Sequence, residues 1–339
     1  MTIRVAINGY GRIGRCVLRA LYESGYRDQV RIVGINELSE IDSLVHLTRF
    51  DSTHGTFTGE VNRGDGVIYV NGDEIMVYSQ RDIRRINWGE LGVDIVLECS
   101  GSYSERCFAQ QHIDQGAAKV IFSCPATRDV DATIVYGFNE RILKKEHRII
   151  SNASCTTNCS AHVIDLLDNR LGIEEGIITI VHSSMNDQPV IDAYHNPDLR
   201  KSRSSGSSII PVSTGLAQGI ARLFPHLAER FEAVSLRVPT MNVSLMQLSI
   251  KVREGTTAKA VNNILRQEAE GRLDGILGYT ELPLVSCDFN HNPCSAVVDG
   301  SQTLVSGASL VTVIAWFDNE WGYANRMLDT ALALSRAPE

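Results

Sequence analysis

Four short apolar runs punctuate the first half of the chain: IRVAI at 3 to 7, VRIVGI at 30 to 35, VDIVLEC at 93 to 99 and AKVIF at 118 to 122. Each is brief and rich in β-branched residues, as strands buried on both faces are. Between the first two, NGYGRIGR is followed by Ile13, Val17, Leu18 and Leu21, an apolar stripe at helical spacing that Ser24-Gly25 stops. Buried strands alternating with helical or turn-rich crossovers predict a parallel sheet covered on both sides.

Beyond about residue 150 the period changes. Met246, Leu248, Ile250 and Val252 alternate with Gln247, Ser249 and Lys251, the pattern of a strand with one wet face. Further strands are predicted at 175 to 182, 232 to 238, 295 to 299 and 310 to 317, with a helix at about 257 to 270. Strands with few helices between them predict a mixed, mostly antiparallel sheet. The expected architecture is therefore an α/β dinucleotide-binding domain over 1–150 and an α+β catalytic domain over 151–318, with a C-terminal helix at about 319–336 completing the first. Residues 183–208 form a long polar stretch without periodicity, the kind of loop that carries function or an interface.

Composition narrows the function classes. The 339 residues are 43% hydrophobic, enough for two cores, and the net charge of −8 with scattered basic residues lacks the footprint of a nucleic-acid binder. No apolar stretch approaches the roughly 20 residues that cross a bilayer, and no leader precedes TIRVAING, so no membrane partner and a cytoplasmic location are expected. In that compartment the eight cysteines are expected to stay reduced.

Gly9-Tyr10-Gly11-Arg12-Ile13-Gly14 matches G-x-G-x-x-G in the context the motif needs, between a strand and a helix with a second strand after it. Glycines let the backbone approach a pyrophosphate, and the N–H groups opening the helix face its charge. Glu37 follows the last glycine at 37 − 14 = 23 residues, near the spacing at which an acid takes the ribose hydroxyls. A carboxylate there repels an extra phosphate, which favours NAD over NADP.

The second chemical signal is SNASCTTNCS at 151 to 160. Ser154 or Asn152 can cap a helix that begins here, placing Cys155 in its first turn, where the dipole favours thiolate and lowers a pKa that is otherwise roughly 8.5. Cys159, one turn on, has no activating charge and reads as a small core residue. A lone C-x-x-x-C lacks the further ligands of a metal site, so no metal is expected. Of nine histidines, His182 is the best placed to partner Cys155, because it ends the strand EGIITIVH and opens the polar loop. Arg237, between Leu236 and Val238, reads as a buried anion-binding cation.

SNASCTTNC, Asn186-Asp187-Gln188, SIIPVSTG, LRVPT and WFDNEWGYANR together resemble the glyceraldehyde-3-phosphate dehydrogenase superfamily over nearly the whole chain. HSSMNDQPVIDAYH (182 to 195) and DFNHNPCSAVVDG (288 to 300) are similar to its erythrose-4-phosphate dehydrogenases. The resemblance implies a nucleophile at Cys155 and a base at His182, with Arg12, Ile13, Glu37, Arg81, Ser123 and Asn319 holding NAD. It implies further that Ser154, Thr156, Lys201, Thr214, Gly215 and Arg237 line substrate and anion sites, and that the protein is a homotetramer. The expected reaction is NAD-dependent oxidation of D-erythrose 4-phosphate to 4-phosphoerythronate, feeding pyridoxal 5'-phosphate synthesis. Triose-phosphate members commonly have threonine where this chain has Met185 and arginine where it has Lys201, so the distal phosphate pocket is altered. Water and inorganic phosphate both remain open as the acyl acceptor. A phosphorylating triose-phosphate dehydrogenase, a cysteine acyl transferase or hydrolase, and an NAD-sensing binding protein are the alternatives.

Overall fold

A computed structural model describes residues 2–194 and 198–338; His195, which closes one of the quoted motifs, lies outside the described residues. The chain divides into two compact units, one of residues 1–154 and 323–339, the other of residues 155–322.

The first unit is built on a nine-stranded sheet. Its seven parallel strands run, across the sheet, Ala132–Thr133, Ile149–Ser151, Lys119–Phe122, Ile95–Glu98, Ile3–Asn8, Val30–Asn36 and Asp73–Tyr78. Strand order reverses on either side of Ile3–Asn8, so the carboxyl ends of that strand and of Ile95–Glu98 frame the switch point where α/β sheets bind nucleotides. The first helix is Arg12–Glu23, with Gly11 at its N-cap and Ser24 at its C-cap. Val96, Val120, Phe122 and Trp88 belong to a buried cluster of this unit.

Two further strands, Val67–Val70 and Val61–Arg63, extend the sheet as an antiparallel meander beyond Asp73–Tyr78. The periodicity reading placed only helix-like or turn-rich crossovers here. The overlooked signal is Asn71-Gly72, where both residues have positive φ (49° and 84°), as the central pair of a type I′ hairpin turn requires.

The second unit carries an eight-stranded mixed sheet. Ile173–His182 lies parallel to Phe231–Arg237 and antiparallel to Ser244–Val252, which pairs antiparallel with Leu310–Phe317. Along Ser244–Val252 the residues Met246, Leu248, Ile250 and Val252 are buried, while Gln247 and Lys251 are exposed. Helix Cys155–Leu171 packs against this sheet and against helix Ala258–Ala269. Helix Leu216–Leu223, absent from the sequence reading, also packs on Cys155–Leu171. At eight residues it has too little sequence for its period to register. Helix Trp321–Ser335 ends the fold; among the described residues no helix is long and apolar enough to cross a membrane.

Candidate active site and nucleotide groove

In the first unit the glycine loop borders a groove of about 500 Å³ lined by Gly9, Gly11, Glu37, Arg81, Ser100 and others. The three glycines have separate reasons to be there. Gly9 has φ +88°, and a Cβ on it would lie 2.4 Å from the Ser100 backbone. A Cβ on Gly14 would lie 2.4 Å from the Gly9 carbonyl oxygen, so this glycine sets how closely helix meets strand. A Cβ on Gly11 would meet nothing within 4 Å, because it faces open space at the helix N-terminus. That opening at the positive end of the helix fits a pyrophosphate.

Two residues expected to hold the cofactor have partners inside the protein. Glu37 accepts hydrogen bonds from the backbone N–H of Tyr10 (2.8 Å) and of Leu38 (2.7 Å), so it braces the glycine loop while lining the groove. Arg12 donates to Asp51; although burial works against it, this contact holds the Asp51 carboxyl well below the usual carboxylate range. Ser123 follows the strand Lys119–Phe122 and donates its amide to the Glu98 carbonyl; it is not part of the groove wall.

Beneath the groove lies a polar network that the sequence reading missed. Asn8, Glu98 and Asn36 end three neighbouring strands and stand in register, Asn8 paired with both others. The Glu98 carboxylate accepts from Asn8 Nδ2 (2.6 Å), His112 Nε2 (3.0 Å), Ser100 N (2.9 Å) and Ser100 Oγ (2.5 Å). Trp88 Nε1 donates to His112 Nδ1 at 2.9 Å, which fixes the histidine's proton on Nε2. Asn36 donates to Asn8 Oδ1 and exchanges two hydrogen bonds with the Gln80 backbone, ahead of Arg81. Glu98 is 2% exposed and His112 0%. A charge inside the apolar run VDIVLEC was the available signal, since a buried carboxylate needs a full set of donors.

In the second unit Cys155 opens helix Cys155–Leu171. Two residues before it Ala153 holds φ +54°, a left-handed backbone unusual for alanine, fastened by the Ser151 hydroxyl and the Tyr323 hydroxyl. His182 ends the strand Ile173–His182, is 4% exposed, and places Nε2 at 3.9 Å from Cys155 Sγ. The backbone N–H groups of Thr156 and of Cys155 itself point at the sulfur.

One sequence expectation is overturned here. The helix start was expected to lower the Cys155 pKa, but burial pushes the thiol up to about 11, against the opposing pull of Arg237 and those two amides. Burial, then Arg237, pushes His182 down to about 4. Desolvation thus outweighs Arg237 and the two amides at the sulfur, and each partner favours its neutral form. Cys159 is 0% exposed with its thiol raised well above the ordinary value, a core residue.

Around this pair, Arg237 Nη1 lies 2.7 Å from His182 Nδ1, and the two residues face each other in register on neighbouring parallel strands. Lys201 Nζ donates to Asp187 Oδ2 at 2.6 Å, so the expected phosphate ligand already has a carboxylate partner that sequence spacing did not assign. Thr214 Oγ1 accepts from Leu216 N, and Gly215 is the N-cap of helix Leu216–Leu223. That helix and the Cys155 helix meet where Gly219 abuts Thr157. Thr156 is in the first turn of the Cys155 helix and Ser154 directly precedes it. Asn319 Oδ1 accepts from the Ser183 and Ser244 hydroxyls, which fixes its amide.

Comparison with known families decides what this equipment belongs to. A family model described as glyceraldehyde 3-phosphate dehydrogenase, NAD binding domain, matches residues 3–106, and one described as glyceraldehyde 3-phosphate dehydrogenase, C-terminal domain, matches residues 154–319. The chain belongs to the glyceraldehyde 3-phosphate dehydrogenase family. It is an NAD-dependent dehydrogenase, and the groove over the glycine loop lies within the segment matched by the NAD-binding model. In family terms Cys155 and His182 both fall within the C-terminal domain.

Proposed function

We propose that the chain oxidises D-erythrose 4-phosphate to 4-phosphoerythronate, with Cys155 as nucleophile, His182 as base and water as acyl acceptor. The observation that carries this reading is the polar loop after His182. Met185 offers a thioether where triose-phosphate members commonly have a threonine hydroxyl, and the Lys201 ammonium is tied to Asp187. A lysine gives a phosphate no bidentate fork, so the grip on the distal phosphate of a triose is weaker. A four-carbon substrate is longer by one C–C bond, about 1.5 Å, and reaches past that altered site.

The chemistry follows from the pair. His182 Nε2 takes the thiol proton as Sγ bonds to the aldehyde carbon, giving a hemithioacetal. The backbone N–H groups at the helix start and the protonated imidazole are donors for the developing oxyanion. NAD, when bound, supplies the hydride acceptor. Cys155 then carries a thioester, and His182, having released its proton, draws one from the attacking water; the acid leaves and the thiol is restored.

A second reading has support of its own. Thr156 and Thr214-Gly215 stand at two helix N-termini, which suit an inorganic phosphate and hence an acyl phosphate product. Single turnover with erythrose 4-phosphate in 18O-labelled water separates them. Label in the carboxylate product, without added phosphate, supports hydrolysis; absence of product until phosphate is added overturns it.

The partner of this protein is, in the same proposal, further copies of itself in a homotetramer. Ile177, Val234 and Leu199 are exposed on or beside the outer face of paired strands, a surface a second copy can cover. The proposed pathway role is supply of the acid precursor for pyridoxal 5'-phosphate synthesis.

A further inference from the structure

The first unit has a second pocket at the end of its sheet away from the nucleotide groove. Thr2, Arg4, Arg27, Arg31 and Asp73 line it, and its volume is about 310 Å³. Arg4 and Arg31 stand one residue inside the beginnings of the neighbouring strands Ile3–Asn8 and Val30–Asn36, whereas Asn8 and Asn36, which end those strands, line the groove. Asn8 is four residues beyond Arg4 on the same strand, so at roughly 3.3 Å per residue the two lie about 13 Å apart. The pocket and the groove share no lining residue.

Arg4 and Arg31 are paired in register on adjacent parallel strands, and both are exposed. Like charges set opposite one another repel, so the pairing is unfavourable until an anion lies between them. The chain carries a net charge of −8, so three arginines around one pocket do not reflect a generally basic surface. Two of the three are held in place. Arg4 Nε donates to the Leu91 carbonyl at 2.8 Å. Arg27 donates through Nε and Nη2 to the two Asp73 oxygens, each at 2.8 Å, and the Tyr22 hydroxyl donates to the same carboxylate at 3.0 Å. Asp94, the acid nearest Arg4 on the next strand side, accepts the Arg4 backbone N–H at 2.8 Å and is not part of the lining. The Arg31 guanidinium has no hydrogen-bond or ion-pair partner among the described residues.

We propose that this pocket is a binding site for a phosphomonoester, whose phosphoryl group bridges Arg4 and Arg31 at the amino ends of the two strands. Three guanidiniums less one carboxylate give the lining side chains a charge of 3 − 1 = +2. A phosphomonoester at neutral pH carries about −1.5 to −2, which matches it. Arginine suits the role because its planar fork meets two phosphate oxygens at once. With Arg4 and Arg27 already fixed by their bonds to Leu91 and Asp73, little side-chain freedom is lost when the ligand arrives. Pockets for small organic ligands begin at about 300 Å³, so this one has room for the carbon skeleton of an ester as well as its phosphoryl group.

The test is modification of the full-length protein by the arginine reagent phenylglyoxal, read residue by residue by peptide mass spectrometry at constant ionic strength, with glycerol 2-phosphate as the probe. At about 10 mM, tenfold above a millimolar Kd, the probe is expected to slow modification of Arg4 and Arg31 by about fivefold or more. Arg63 and Arg84, exposed arginines ion-paired elsewhere on this unit, are expected to react at unchanged rates. Arg31→Met abolishes the protection of Arg4, while Arg63→Met, which removes the same charge at another place, leaves it intact. Inorganic phosphate at the same concentration protects less than the ester. Equal slowing at Arg63 and Arg84 overturns the proposal, since it shows only general screening, and so does protection of Arg4 that survives in Arg31→Met. Inorganic phosphate protecting as well as the ester overturns the assignment to an ester. The wild-type rates decide even where a variant fails to fold. None of these readouts needs turnover, so a preference for a triose substrate, which would defeat the proposed function, leaves them unaffected.

Discussion

Glu98→Gln is the sharpest probe of how the nucleotide groove is held. It keeps the shape of the side chain but replaces one acceptor oxygen with a donor. Four donors converge on Glu98: Asn8 Nδ2, His112 Nε2, Ser100 N and Ser100 Oγ. The glutamine carbonyl must face Asn8 and His112, because Trp88 locks the histidine tautomer and Asn36 locks the Asn8 amide. Its NH2 then meets the Ser100 amide and hydroxyl. The hydroxyl can rotate to accept; the amide cannot. A buried orphan donor costs about 1–3 kcal/mol, and the remaining bonds weaken with loss of the charge, for a total of about 3 kcal/mol. In a unit of this size that lowers Tm by roughly 6–12 °C. Because Asn8, Asn36 and Ser100 line the groove, NAD affinity falls by about tenfold, or about 1.4 kcal/mol, while kcat at saturating NAD is kept. Calorimetry gives both numbers. A Tm within about 1 °C of wild type together with an unchanged Kd for NAD would refute the argument.

Two further outcomes follow from the geometry. Gly11→Ala folds normally but loses NAD affinity by about tenfold or more, because its Cβ enters the open groove, whereas Gly9→Ala lowers Tm because its Cβ strikes the Ser100 backbone; thermal melts and NAD titration of both separate the effects. In His182→Asn the Cys155 thiol loses its nearest base, so its alkylation by iodoacetamide near neutral pH slows by about tenfold or more relative to wild type; an unchanged rate in the folded variant would show that His182 is not the proton acceptor.

The parts of the molecule that local sequence could express were legible in it. Gly9, Gly11 and Gly14 act through backbone within a few residues, and the position of Cys155 at a helix start follows from the apolar face of its own helix. His182 could be picked out because a strand ends on it. What was hidden depends on pairs far apart in sequence. The Glu98 network joins Asn8, Asn36, Trp88 and His112, which no periodicity links. The pairing of Arg237 with His182 comes from register between two strands. The direction of the Cys155 pKa was misjudged for the same reason: the helix start is local and visible, whereas the desolvation that outweighs it is supplied by the surrounding fold. The Asn71-Gly72 hairpin is different, since its turn signal is local and lies in the sequence itself.

Under the proposed function the enzyme prefers a four-carbon sugar phosphate to a triose phosphate. The decisive measurement is kcat/KM for NADH formation with D-erythrose 4-phosphate and with D-glyceraldehyde 3-phosphate, on the same enzyme, without and with inorganic phosphate. A higher value for the erythrose substrate and no requirement for phosphate are expected. A higher value for the triose, together with activity that depends on phosphate, would contradict it.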